Sequence, residues 1–406
     1  MIAGPPRSLI AYVAAVMLVA LACGGDTEPD LDTGKVSVVQ GPGSRSAEDE
    51  QARLDARQPG HLSEARVFHT ATLLGDGRVI VTGGKGLVMK GAPSATAEVF
   101  DPATSDWTLT AEMPTARENH RAVLLVDGRI LLTGGRGSNS YPTSCSLFDP
   151  GIGDWLKGPA MQQGRSSHTA TVLADGRVLV AGGKVAVYLD STEVFDPVSE
   201  TWTDAGTMSG QKAWHRAVLL RDGRVLVTGG KRSGVQALAE VEIFDPATGN
   251  WSKAGEMLTA RRSHSATVLG NGDVLVVGGY GVDGQPLVSA EVFDPASGTW
   301  SSTVTPGTAR ADHTATVLSG GDVLVVGGLG DITLTELYRP ATRTWVPTGN
   351  LNSPRYQHSA VLLGDGTVMI VGGLEGGRDN RRSDIVEIFA PSSGAWLKVA
   401  PSVPVD

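Results

Sequence analysis

The chain has 406 residues, a formal net charge of −9, 53 glycines and only two cysteines. The acidic balance argues against a nucleic-acid binder, and two cysteines exclude a disulfide framework. Scarce helix formers and abundant glycine suit many short strands joined by tight turns.

Residues 1–22 read as an export signal, with Arg7 ahead of an uncharged, mostly apolar run over residues 8–22 that is short for a membrane span. The run ends in Val19-Ala20-Leu21-Ala22-Cys23, which resembles the lipobox of bacterial lipoproteins, with Ala20 where that motif usually has Leu. The resemblance implies lipidation of Cys23; the alternative is ordinary cleavage after Ala20 or Ala22 with Cys23 left free. Gly24 in place of Asp implies, by the same resemblance, the outer membrane or cell surface of a Gram-negative bacterium. No later stretch is long and apolar enough to span a bilayer, so the lipid anchor would be the membrane contact. Residues 23–62 form a polar linker rich in Gly, Pro, Ser and Asp, with a strand expected over 35–39 and a short helix over 47–58.

From there a unit recurs. Seven double glycines, Gly83-Gly84, Gly134-Gly135, Gly182-Gly183, Gly229-Gly230, Gly278-Gly279, Gly327-Gly328 and Gly372-Gly373, lie 45 to 51 residues apart. Seven tryptophans follow in step, at Trp107, Trp155, Trp202, Trp251, Trp300, Trp345 and Trp396. That period belongs to propeller blades rather than to helical repeats.

Each copy opens on a basic residue and then a strand that begins with His: His69, His120, His168, His215, His264, His313 and His358. Two residues on, Ala recurs on the same side of the strand, where a small side chain suits the crowded axis, and Leu follows three further on. An Asp-Gly or Asn-Gly turn predicts a two-residue hairpin with positive φ at both central residues. An apolar second strand, closed by the glycine pair, must be covered on both faces. The third strand ends at Asp-Pro, where proline stops the ladder, and the Trp strand is the fourth. The pattern resembles the Kelch repeat throughout residues 63–402, and the resemblance implies an all-β, seven-bladed β-propeller with four antiparallel strands per blade. Blades are expected at about 66–116, 117–164, 165–211, 212–260, 261–309, 310–354 and 355–402. The copies run in phase, so closure is expected by face packing, helped by residues just before Arg66.

Counting strand reversals puts the loop before the His strand and the loop after Gly-Gly on one face, and the Asp-Gly and Asp-Pro turns on the other. The first face then carries Arg66, Arg117, Arg165, Lys212, Arg261, Arg310 and Arg355 together with loop cations such as Lys85, Lys90, Arg136, Lys184, Lys231, Arg232, Arg378, Arg381 and Arg382. A basic face would favour an anionic ligand. The plainer reading for the seven repeated residues is architectural: each pairs with a third-strand Glu (Glu98, Glu193, Glu242, Glu291, Glu336, Glu387) or with backbone. A ring of histidines, one per blade, cannot converge on zinc, so their expected role is structural, and no cofactor is expected.

Residues that break the repeat are the better binding candidates: Tyr141, Trp214, Lys231, Arg232, Tyr280, Tyr356, Arg378, Arg381 and Arg382. In the second copy Ser146 stands where the others have Glu. The expected function is a monomeric, surface-tethered, non-enzymatic module that holds a glycan, peptide or protein partner through the variable-loop face. The alternative is a carbohydrate-active enzyme. The sharpest version resembles galactose oxidase, for which Cys145 with Tyr141 would supply the thioether and Tyr356 and His358 further ligands; Gln357 separates the last two, and no adjacent Tyr-His pair exists. Kelch-like sialic acid epimerases are a weaker resemblance.

Overall fold

A computed structural model describes residues 60–86, 92–376 and 381–397. The signal run, Cys23, the strand over 35–39 and the helix over 47–58 fall outside the described residues. Within them every regular element is a strand.

Seven four-stranded antiparallel sheets follow one another along the chain, each wound in sequence order from inner to outer strand. Blades 1 to 7 comprise residues 70–109, 121–160, 169–207, 216–261, 265–302, 314–347 and 359–396. In blade 1 the strands are Thr70–Leu73, Val79–Thr82, Ala97–Asp101 and Asp106–Leu109. The inner strands touch their neighbours all the way round, with Ser359–Leu362 of blade 7 against Thr70–Leu73 of blade 1. This is the seven-bladed propeller that the repeat implies.

The core lies between blades rather than within them. Second strands are buried along their whole length because alternate side chains serve opposite neighbours: Val79 and Val81 join the blade 7 cluster, and Ile80 joins the blade 2 cluster. Seven such clusters fill the seven interfaces, and in each the repeated Leu, from Leu74 to Leu363, contributes. Third-strand Phe or Tyr and outer-strand Trp are direct cross-strand partners, as in Phe100 and Trp107, with ring centroids 5.0–5.1 Å apart in all seven blades. In Trp155, Trp202, Trp251, Trp345 and Trp396 the indole N–H then reaches back toward the preceding blade, Trp155 donating to the Ala111 carbonyl at 2.9 Å and Trp396 to that of Gly349 at 3.0 Å.

The glycine pairs are points of contact between blades. The second glycine of every pair donates its N–H to the carbonyl of the next blade's basic residue, from Gly84 to Arg117 at 2.9 Å round to Gly373 and Arg66 at 2.9 Å. The first has φ between 56° and 65°. A Cβ on Gly134 would sit 2.2 Å from the Arg165 carbonyl oxygen, so only glycine fits.

All seven repeated basic residues are fully buried, which removes them from the surface. Six pair with the third-strand glutamate: Arg66 with Glu98 at 2.6 Å, Arg165 with Glu193 at 2.7 Å, Arg310 with Glu336 at 2.7 Å, Arg355 with Glu387 at 2.5 Å, and likewise Lys212 with Glu242 and Arg261 with Glu291. Each glutamate also accepts an N–H from the segment entering its blade, such as Gln162 N–H on Glu193 at 2.7 Å. The architectural reading therefore holds, and these residues do not build a basic face.

One local expectation fails. In the Asp-Gly turns only the glycine has positive φ, 89° at Gly77. Leu74 N–H bonds the Arg78 carbonyl, Gly77 N–H bonds that of Leu74, and Asp76 Oδ1 accepts the Arg78 N–H at 3.0 Å. The turn is thus a longer loop with a glycine bulge. Its aspartate is held in ordinary φ by bonding its own turn.

Candidate functional site

The loop before each inner strand and the loop after each glycine pair do share a face. They pair with each other: Arg66–Val67 with Lys85–Gly86, Arg355–Tyr356 with Leu374–Glu375, and single bridges such as Ala213 with Lys231 and Arg262 with Tyr280. Pinned this way, the residue just before each His turns left-handed. Phe68, Asn119, Ser167, Trp214, Ser263, Asp312 and Gln357 all have φ between 50° and 60°. Six hydrogen bonds in one sense link them round the axis, each N–H donating to the carbonyl of the preceding blade's residue, from Asn119 on Phe68 at 3.0 Å to Gln357 on Asp312 at 2.8 Å. This arc of peptide groups rims a cavity of about 350 Å³ at the mouth of the axial channel. A left-handed non-glycine residue costs roughly 1–2 kcal/mol, and here the backbone is held so while the side chains range over aromatic, amide, hydroxyl and carboxylate groups.

Below the rim the histidines face the neighbouring blade. His120 Nε2 lies 2.9 Å from Thr82 Oγ1 and 3.1 Å from Thr70 Oγ1; His168 bonds Thr133, His215 bonds Thr169, His264 bonds Thr228, His313 bonds Ser265 and His358 bonds Thr314. Burial, first, and nearby cations hold all seven far below the usual imidazole range, His69 and His358 at about 3. They are neutral struts.

Six of the seven histidines meet a hydroxyl; His69, which faces blade 7, meets none among the described residues. His120 meets both Thr70 and Thr82 of blade 1, and each of the others one hydroxyl from one of two places. In blades 3, 5 and 6 it is Thr169, Ser265 or Thr314, the first residue of the inner strand, and the second strand ends in Ala181, Val277 or Val326. In blades 2 and 4 it is Thr133 or Thr228, the last residue of the second strand. This frees the inner-strand position in those two blades, and both fill it with arginine.

Arg121 and Arg216 accordingly line the channel, half-buried. Each spends only its Nε on the next blade, Arg121 on the His168 carbonyl at 2.8 Å and Arg216 on that of His264 at 2.6 Å. Among the described residues neither has a carboxylate within 4.0 Å. Burial and the charge of Arg216 push Arg121 down to about 10, so it stays protonated at neutral pH. Asp312 on the rim accepts from Tyr280 Oη at 3.0 Å and Gln357 Nε2 at 3.2 Å and favours charged Arg216. Burial and Asp312 raise the Tyr280 and Tyr356 hydroxyls.

Aromatic and cationic groups continue outward from Trp214. Lys184 Nζ stands 4.9 Å from its ring centroid, Tyr188 packs edge-on at 6.2 Å, and the Arg262 guanidinium lies 4.3 Å from the Tyr280 ring centroid. Lys231 is lowered by burial and then by the charges of Arg262 and Lys184. The mouth is thus positive on a chain of net charge −9.

Of the residues singled out from sequence, Trp214, Lys231, Tyr280 and Tyr356 gather here, with Tyr356 buried beside Asp312. Arg232 turns away to Glu240 at 2.6 Å; Arg382 donates to the Gly86 carbonyl; Arg381 is exposed, 3.8 Å from Glu375; and Tyr141 packs its backbone against Gly164 of blade 2. Arg378 lies outside the described residues. Arg121, Arg216 and Arg262 were missed, although the swap of Thr or Ser for Arg after His, matched by Thr133 and Thr228, marks the first two in the sequence. The copper reading does not fit these residues. Cys145 is buried in the core between blades 2 and 3, its thiol pushed up to about 12 by burial, and His358 is engaged by Thr314.

Comparison with known proteins agrees on the architecture. The KLHDC2/KLHL20/DRC7 Kelch-repeats domain matches residues 46–217 and 205–373. Kelch-like protein 15 of Danio rerio is 34% identical over 86 residues, which cover 20% of this chain and 14% of that protein. A copper complex of a fungal alcohol oxidase of the AA5 family superposes with a TM-score of 0.66 at 19% identity, covering 82% of this chain and 76% of the other, and shows the shared fold. With the family match spanning most of the chain and seven blades in register, the protein belongs to the Kelch-repeat family.

Proposed function

We propose that the protein is a non-enzymatic binding module that holds an acidic segment of a protein or peptide partner at the loop-face mouth of the channel. The observation that carries this is the pair Arg121 and Arg216, whose guanidinium ends are free of carboxylates because blades 2 and 4 move the histidine's hydroxyl elsewhere. Kelch propellers commonly bind proteins, and Trp214 beside Lys184 and Lys231 offers the aromatic and cationic surface that anchors such contacts. Lipidation of Cys23 would tether the module to the outer membrane. Replacing Cys23 with Ala should release the exported protein into the soluble fraction.

The test is an array of acidic and neutral peptides and glycans probed with the full chain. Binding to acidic peptides that weakens with salt, falls at least tenfold in the Arg121→Met/Arg216→Met variant and survives in Arg378→Ala/Arg381→Ala/Arg382→Ala supports the axial site. Loss in the triple variant alone would move the site to the seventh-blade loop. Preference for acidic glycans would replace the peptide by a sugar, and no salt-sensitive binding would sink the reading.

A further inference from the structure

Blade 2 departs from the other six at its buried basic residue. Arg117 is fully buried and keeps the contacts common to its kind: Nη1 donates to the carbonyls of Gly134 at 2.9 Å and Ser144 at 3.2 Å, and Nε to that of Thr115 at 3.3 Å. In every other blade a glutamate meets the cation. Here Ser146 occupies that position, itself buried, with a hydroxyl in place of a methylene and a carboxylate. Arg117 Nη2 has no hydrogen-bond partner.

The surroundings have changed in step. Three residues before the basic residue, the N–H of Ser63, Gln162, Ser209, Leu258, Gly307 or Asn352 donates to the glutamate of its blade. In blade 2 that residue is Pro114, which has no N–H. The next amide, which also donates to the glutamate at Gln163 and Thr259, is retained at Thr115. One donor fewer and no carboxylate leave a guanidinium, a hydroxyl and one amide around the same position. A guanidinium cannot shed its proton, and a buried charge without a counter-charge costs several kcal/mol. The adjacent Cys145 is no counter-ion, because burial keeps its thiol protonated at neutral pH.

We propose that Arg117 holds a small monovalent inorganic anion, chloride in size and charge, where the other blades hold a glutamate carboxylate. Arg117 Nη2, the Ser146 hydroxyl and the Thr115 N–H are its donors, and exposed Lys157, directly across the ladder from Ser146, adds a cation at the approach.

The experiment is thermal unfolding of the full chain at constant ionic strength in sodium chloride against sodium gluconate, an anion too large for the interior, with Ser146→Glu alongside. The wild-type midpoint should rise by about 2–4 °C with chloride and saturate. Ser146→Glu should melt higher than wild type in gluconate and ignore chloride. Equal wild-type midpoints in the two salts, or a chloride effect that persists in Ser146→Glu, would overturn the assignment. Should Ser146→Glu fail to fold, wild-type crystals soaked in bromide decide: an anomalous peak within hydrogen-bond reach of Arg117 Nη2 supports the site, and a water there refutes it.

Discussion

Seven imidazoles that water would protonate below about pH 6.5 are kept neutral by burial between blades. Their folded pKa lies below the unfolded one, so the unfolded chain binds more protons as pH falls, and the stability is complete above about 6.5 and is lost as pH falls below it, for His69 and His358 toward about 3. Each contributes a slope of about 1.4 kcal/mol per pH unit in that window. The thermal midpoint should therefore fall steeply between pH 6.5 and 4.5, and His264→Gln, which keeps an amide for Thr228, should flatten the fall by about a seventh. A midpoint flat over that range would contradict buried neutral histidines. The Arg165–Glu193 pair makes the opposite point. Both side chains are buried, so Glu193→Gln leaves a charge without its partner and should cost roughly 3–5 kcal/mol by denaturant unfolding. Residues of this kind were legible because they recur: a cation ahead of the inner strand and a glutamate on the third strand, in six copies, leave little else for them to do. Arg121 and Arg216 were not, since occurring twice they look like drift until Thr133 and Thr228 are seen to carry the displaced bond.

At the scale of the strand and turn, the pair glycines and the turn glycines differ in what surrounds them. Gly134 has a neighbouring carbonyl oxygen 2.2 Å from where a Cβ would lie, whereas at Gly77, φ 89°, nothing stands within 4 Å. Gly134→Ala should thus cost roughly 3 kcal/mol or more, combining clash and strain, and Gly77→Ala about 1–2 kcal/mol from backbone strain alone. Similar losses for the two would show that the pair is a simple strand end rather than a contact between blades. The Phe–Trp cross-strand pairs came from the structure; strand order and the two-faced second strands followed from the repeat, because period 2 fixes which side each residue faces. Turn geometry did not. The dipeptide Asp-Gly fits two loop lengths, and the side-chain bond from Asp76 to its own turn selects the longer one.

For the whole molecule the seam shares the glycine bond and the apolar cluster of the other six joints, while the rim's six hydrogen bonds and the histidine–hydroxyl bonds skip it among the described residues. Gly373 bonds Arg66, the blade 7 and blade 1 clusters merge, and the chain just before Arg66 adds to them: His61 bridges Ile385, Leu62 N–H bonds the Asp384 carbonyl at 2.9 Å, and the Leu62 side chain is buried. Leu62→Ala should then cost roughly 2–5 kcal/mol, as for any core leucine. A loss under 1 kcal/mol would mean that the segment merely rests on the rim. The arc of peptide groups around the mouth has a different kind of consequence. Since the arc is drawn by backbone alone, Phe68, Asn119, Ser167, Trp214, Ser263, Asp312 and Gln357 form it without their side chains. Selection can rewrite them one at a time without renegotiating the architecture. Two propellers of this build can be superimposable and yet strangers in what they recognise, so kinship in shape is a poor guide to a shared partner.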